Sequence, residues 1–133
     1  IMCMASCEDK GYFGRAVNVQ EISAVTAACM LMKAEDFQAV GGFDEEFVVA
    51  FNDIDLCMKA RAAGKKVVFT PYAELYHYES KSRGMEDTPE KQFRFEKETK
   101  RFEEKWGDEM AKGDPYYNPN LSLKEADCSL RED

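Results

Sequence analysis

A chain of 133 residues is the size of one ordinary domain, long enough for a single core but short for two. Hydrophobic residues at 44% and charged residues at 33% are usual for a globular chain and exclude disorder through most of its length. With 26 acids against 18 bases, a formal net charge of -8, the chain lacks the general electrostatic footprint that nucleic acid or an anionic membrane would need.

No apolar run approaches the ~20 residues of a membrane span, and the opening "IMCMASCEDKGYFGR" lacks a signal peptide's basic region and long apolar core. The expectation is a cytoplasmic chain with no transmembrane segment. Cys29 and Cys57 lie inside apolar patterns that suit reduced, buried thiols. Cys3 and Cys7 have a spacing seen in metal sites, but a zinc site needs more ligands, and the single histidine is His77.

Residues 1–22 show no sustained periodicity and are punctuated by Gly11 and Gly14, which predicts an irregular lead-in. "SAVTAACMLM", Ser23 to Met32, is short, apolar and partly β-branched, as a strand buried on both faces would be. "KAEDFQAV" predicts a short helix stopped by Gly41 and Gly42, at least one of which supplies a positive φ or a close backbone approach. The run Phe47 to Phe51 fits a short strand or a packed loop equally well.

The next helix is signalled at both ends: Asn52 as N-cap, Asp53 and Asp55 in the first turn, Lys59 and Arg61 in the last, Gly64 as the stop. Both acids gain roughly 0.3–1 kcal/mol from the positive end of the helix. The pair also reads as an Asp-x-Asp, a pattern of hard oxygen ligands for a divalent cation. Side chains two residues apart on a helix point in different directions, so a capping role, with Asp55 as the partner of Asn52, is the simpler reading.

"KVVFTP" and "AELYHY" predict two strands separated by a turn at Pro71, followed by the polar loop "ESKSRGMED". Thr88 and Pro89 then open a long helix within 85–112, with Phe95, Thr99, Phe102 and Trp106 on one face and charged faces left to solvent. Residues 113–133 are too rich in Pro, Asn and acids for regular structure, and are expected to wrap the surface through Tyr116, Tyr117, Leu121 and Leu123.

The segments "VTAACMLMKAEDFQAVGGFDEEF", "AFNDIDLCMKARAAGKKVVFTPYAELYHYESKSRG" and "DPYYNPNLSL" together resemble the carboxyl-terminal half of family 2 glycosyltransferases, especially bacterial rhamnosyltransferase-like members. The resemblance rests on several motifs in order: "GGFDE", "NDIDLC", "TPYAELYHYES" and "SRG". It implies an α/β fold, the carboxyl-terminal half of a GT-A (Rossmann-like) domain, with 23–84 as the half that carries the acceptor site and the catalytic base.

By the same resemblance Asp53 is the base of an inverting transfer from a nucleoside-diphosphate sugar to a glycan or lipid-linked acceptor. Asn52 stands where the family more often has Glu. Gly41, Gly42, Phe43 and Asp44 would shape the acceptor pocket. His77 would be a ligand of a divalent metal (Mn or Mg), and Arg83 would grip the diphosphate, as a guanidinium fork can.

The nucleotide-binding half of such an enzyme is not legible in the 51 residues before Asn52, so the chain alone is expected to be inactive. An uncovered strand at Ser23 to Met32 would favour a homodimer or strand-exchanged oligomer. The alternative reading is a non-catalytic glycan- or protein-binding fragment derived from such a transferase, with Tyr72, Tyr76 and Trp106 as contact aromatics. A metal-dependent hydrolase on Asp53, Asp55 and His77 would need more ligands than these.

Overall fold

The computed structural model describes residues 10–76, 88–123 and 128–131. Three helices dominate: α1 (Ala34–Ala39), α2 (Asn52–Ala62) and the long α3 (Pro89–Met110). Two short strands, β1 (Gln20–Glu21) and β2 (Val68–Phe69), pair antiparallel with Gln20 opposite Phe69 and Glu21 opposite Val68. The ladder runs one bond further, from Ile22 N–H to the Val67 carbonyl at 3.0 Å.

Helix α3 starts where its cap signal predicts. Thr88 is the N-cap, its hydroxyl accepts from Lys91 N–H at 3.4 Å, and Pro89 occupies the first position, where a missing N–H costs nothing. Helix α2 closes with Gly64 at φ +76°, whose N–H donates to the Arg61 carbonyl at 2.9 Å. Between α1 and the next segment Gly41 and Gly42 both adopt positive φ, +81° and +63°. Gly42 is needed twice over, because a Cβ there would lie 3.0 Å from the Phe37 ring.

Ser23 to Met32 is not a strand. Its centre, Ala27–Cys29, is a 3-10 turn opened by Thr26, whose hydroxyl accepts from Ala28 N–H at 3.3 Å. A Thr side chain that bonds the backbone two residues on competes with extended pairing, and among the described residues no neighbouring strand offers a ladder to outweigh it. Leu31 is consequently 99% exposed rather than buried. Thr70 to Tyr76 also lacks strand structure, and the remainder of that expected strand lies outside the described residues. The lead-in holds β1, and a 3-10 turn at Tyr12–Gly14.

The core lies between α2, α3 and the segment that joins α1 to α2. Phe47, Met58 and Phe102 are its buried centre, with Phe51 and Trp106 packed against them. Phe51 stacks on Phe102 at 4.9 Å between centroids and on Phe95 at 5.7 Å, and Phe47 meets Phe102 edge-on at 6.1 Å. In the tail, Leu121 is buried and bridges Leu130, but Leu123 is exposed.

Candidate active site

The residue that sets the start of α2 is Phe51, at φ 65° and ψ -4°. A bulky residue in the left-handed region is an outlier, costing of order 1–3 kcal/mol, and persists only where packing over-determines it. Here the ring is stacked between Phe95 and Phe102 on α3. The backbone one residue earlier is held from the same helix: Ala50 N–H donates to Glu98 Oε2 at 2.6 Å. Glu98 is only 2% exposed, and Arg94 lies 3.7 Å from its other oxygen.

Asn52 therefore does not cap α2; it is the first helical residue, and Phe51 takes the cap position without a side-chain bond. Asp53 follows, half-buried at the helix start. Its Oδ2 accepts from Ala27 N–H at 3.1 Å and its Oδ1 from Ile54 N–H at 2.9 Å. These bonds fix the carboxylate between α2 and the 3-10 turn at Ala27–Cys29. Each oxygen keeps a second lone pair, so the group can still accept a proton from a bound hydroxyl.

Asp55 is not a cap partner. It is 0% exposed and faces α3, where Oδ1 accepts from Trp106 Nε1 at 2.8 Å and meets Lys105 Nζ at 2.7 Å. Lys59 Nζ lies 3.2 Å from Oδ2 and also donates to the Gly42 carbonyl at 2.5 Å. The carboxylates of Asp53 and Asp55 thus serve opposite sides of α2. Among the described residues no group of three or more His, Cys, Asp or Glu side chains could hold a metal ion. The Asp53–Asp55 donor set does not fit a divalent cation.

Asp44, at the end of the glycine turn, is drawn to α3 as well. Its Oδ2 lies 2.9 Å from Lys105 Nζ and 3.2 Å from Arg101, and Oδ1 accepts from Glu46 N–H at 3.1 Å. The Lys105 bond leads in pulling its carboxyl down to about 2. Burial works against charge at Lys105 itself, but its bonds to Asp55 and Asp44 outweigh that and raise its pKa. Arg101 also pairs with Glu46. Phe43 is half-exposed and meets Phe37 edge-on at 5.5 Å.

Asp44 is tied to α3 by Lys105 and Arg101 and Gly42 to α2 by Lys59, while the Asp53 carboxylate turns the other way, to the 3-10 turn at Ala27–Cys29; α3 thus braces the region before α2. The faces of α3 expected to lie in solvent supply Glu98, Arg101 and Lys105 to this region. The signal was present in the spacing: Glu98, Arg101, Phe102, Lys105 and Trp106 recur at helical intervals of three and four. His77 and Arg83 lie outside the described residues. Tyr72 and Tyr76 are exposed, while the Trp106 indole is committed to Asp55. Cys57 is on the buried side of α2, where burial raises its thiol pKa and Sγ donates to the Val25 carbonyl at 3.8 Å. Cys29, expected to be buried, is exposed.

Among the described residues no helix is long and apolar enough to cross a membrane. No protein-family model and no solved structure matches the chain. Over 124 residues, 92% of the chain and 14% of the relative, it is 55% identical to an uncharacterized protein of Sinorhizobium fredii. It is 39% identical over 126 residues to the O-antigen biosynthesis protein RfbC of Myxococcus xanthus, covering 90% of the chain and 9% of the relative.

The N-acetylglucosaminyl-diphospho-decaprenol L-rhamnosyltransferase of Mycobacterium tuberculosis is 35% identical over 60 residues, 45% of the chain and 20% of that protein. The chain spans no more than a fifth of the length of these relatives. One of these relatives is named a rhamnosyltransferase and another an O-antigen biosynthesis protein, a likeness that supports a glycosyltransferase-like role.

Proposed function

We propose that this chain is the acceptor-side, base-bearing portion of an inverting family 2 glycosyltransferase, the carboxyl-terminal half of a GT-A domain. The observation that carries the reading is the placement of Asp53: a carboxylate fixed by two backbone N–H groups at the start of a helix, directly after a strained Phe51. Strain stored beside a positioned acid is what a pre-organised catalytic group shows. Similarity to a rhamnosyltransferase and to an O-antigen biosynthesis protein supports the same chemistry.

In that chemistry a hydroxyl of a glycan or lipid-linked acceptor attacks the anomeric carbon of a nucleoside-diphosphate sugar. The new glycosidic C–O bond forms as the bond to the diphosphate breaks, and the hydroxyl proton passes to Asp53. Attack opposite the leaving group inverts the anomeric centre. The turn Gly41, Gly42, Phe43 and Asp44 lines the acceptor side, with Lys105 and Arg101 holding Asp44 in place. A divalent ion (Mn or Mg) would be held through His77 and not through Asp53 and Asp55, and would offset charge on the departing diphosphate, with Arg83 as a further diphosphate contact. The reading carries a cytoplasmic location with it.

The test is Asp53→Asn in the full-length protein, assayed for sugar transfer from a nucleoside-diphosphate sugar. Loss of the proton acceptor predicts a fall in kcat of about 100-fold or more. A variant that folds and keeps most of its activity would remove Asp53 from the mechanism.

A further inference from the structure

The segment that reaches Asp53 runs back from Ala27 to β1. Beside β1 is a concavity of about 350 Å³, within the range of small-ligand pockets. Its walls are the rings of Tyr12, Phe13 and Tyr116 and the polar groups of Arg15, Glu21 and Asn118.

Phe13 is 89% exposed, and its backbone is left-handed at φ 50° and ψ 34°. That is a conformation a bulky residue rarely takes. The loop is wired in this shape. Gly14 N–H donates to the Gly11 carbonyl at 3.0 Å, Ala16 N–H to Lys10 at 2.9 Å, and Asn18 Nδ2 to Gly14 at 2.8 Å. An apolar ring is thus held out into water, edge-to-face with Tyr12 at 4.7 Å, and does not fold back onto the core.

The polar groups are pre-organised too. Arg15 Nε donates to Gln20 Oε1 at 3.3 Å, which fixes the guanidinium plane and leaves its two terminal nitrogens without partners among the described residues. Tyr116 hydroxyl donates to Glu21 Oε2 at 3.1 Å, and Lys66 holds the other oxygen at 2.5 Å. Asn118 Oδ1 accepts from Asn120 N–H at 2.9 Å and from its Nδ2 at 3.1 Å, which fixes the side-chain amide. Aromatic faces with fixed N–H donors suit a ligand that has one apolar face and a rim of hydroxyls.

Charge decides between ligand classes. The wall holds one cation, Arg15, and one acid, Glu21, and the whole chain carries -8. A phosphate would meet the Glu21 carboxylate, whereas a neutral sugar ring meets both donors and acceptors at no electrostatic cost. The site also lies within reach of the proposed base. From Glu21 to Ala27, whose N–H bonds Asp53, the backbone can span at most about 20 Å.

We infer that this concavity is a binding subsite for a neutral sugar ring, a distal unit of the acceptor glycan whose reacting end lies at Asp53. The assignment of the ring to an acceptor rests on the proposed transferase reading; the sugar site itself does not. The probes are L-rhamnose and the disaccharide L-rhamnosyl-N-acetylglucosamine, titrated into the 133-residue chain and followed by saturation-transfer NMR.

The expected result is saturation of sugar ring protons, with affinity falling at least tenfold in Phe13→Ala and in Arg15→Ala. Phe93→Ala, an exposed aromatic on α3, a helix that supplies none of these walls, leaves it unchanged. Circular dichroism verifies that each variant keeps its helices; Arg15→Gln repeats the test with a gentler change. No saturation with either probe, binding that survives both substitutions, or displacement of sugar by inorganic phosphate would each overturn the inference. Sugar binding that persists while Asp53→Asn keeps full activity in the whole protein leaves this site standing and removes only the base.

Discussion

Asp55→Ala removes the charge on which α2 and α3 are joined. Breaking a buried ion pair by deleting one partner costs about 3–5 kcal/mol, because the other charge is left uncompensated. Two details bring the figure to the lower end. Lys59 keeps the Gly42 carbonyl and Lys105 keeps Asp44, so neither ammonium is wholly abandoned. Trp106 Nε1 does lose its acceptor, and hydrogen bonds to charged groups contribute roughly 1.5–3 kcal/mol.

The expected loss is about 3 kcal/mol, a large share of the 5–15 kcal/mol that holds an ordinary domain together. For a chain of this size it corresponds to a fall in Tm of ~10 °C or more. Urea unfolding followed by fluorescence suits the question, since Trp106 is the sole tryptophan and sits on the bond being cut. Circular dichroism in parallel separates loss of the fold from a local change at the indole. Asp55→Asn retains an acceptor for Trp106 but no negative charge, and should recover less than half of the loss. If Asp55→Ala stays within 0.5 kcal/mol of the parent chain, the joint between α2 and α3 does not stabilise the fold as argued.

Two further outcomes follow from the same region. Asp44, held down to about 2 chiefly by Lys105, has a depressed folded pKa, so its contribution is complete above the ordinary carboxylate range and is lost as pH falls from 4 toward 2. After allowance for solvent screening the acid loss is about 1–2 kcal/mol, and the stability gap between Asp44→Asn and the parent should close over that window; a gap constant from pH 6 to pH 2 contradicts the pairing. At the glycine turn, Gly41→Ala meets open space and bears only the backbone cost of about 1–2 kcal/mol, whereas Gly42→Ala also drives a methyl into the Phe37 ring. Chemical denaturation should show Gly42→Ala as clearly the worse; equal losses would mean that the Phe37 contact does not constrain the turn.

The elements that could be read in the sequence are those whose ends are decided within a few residues. Thr88 and Pro89 begin α3, Gly64 ends α2, and Gly41 and Gly42 stop α1 because cap and positive-φ chemistry is local. Ser23 to Met32 misled because an apolar, β-branched run predicts a strand only if another strand is there to pair with it, and Thr26 and Asp53 claim its amides instead. Asp53 was legible as a helix-start acid, but its bond to Ala27 was not. Asp55 and Glu98 were misread for a related reason. A charged residue in a helical pattern is ordinarily solvated, and only the partner helix some fifty residues away shows otherwise. Asn52 lost its cap to Phe51 because stacking on Phe95 and Phe102 outweighs the local preference of an asparagine.

The long reach of α3 has a kinetic corollary. The bonds that set the start of α2 join residues 48 and 51 positions apart in the chain, Ala50 to Glu98 and Asp55 to Trp106. Contacts so far apart in the chain cost loop-closure entropy before they contribute stability, so Phe51 is forced into its left-handed turn only once α3 has docked. During synthesis the acid end of α2 leaves the ribosome first and waits for Trp106 to emerge. The joint between α2 and α3 is therefore closed last, and a chain interrupted ahead of Trp106 leaves Asp55 without its indole donor.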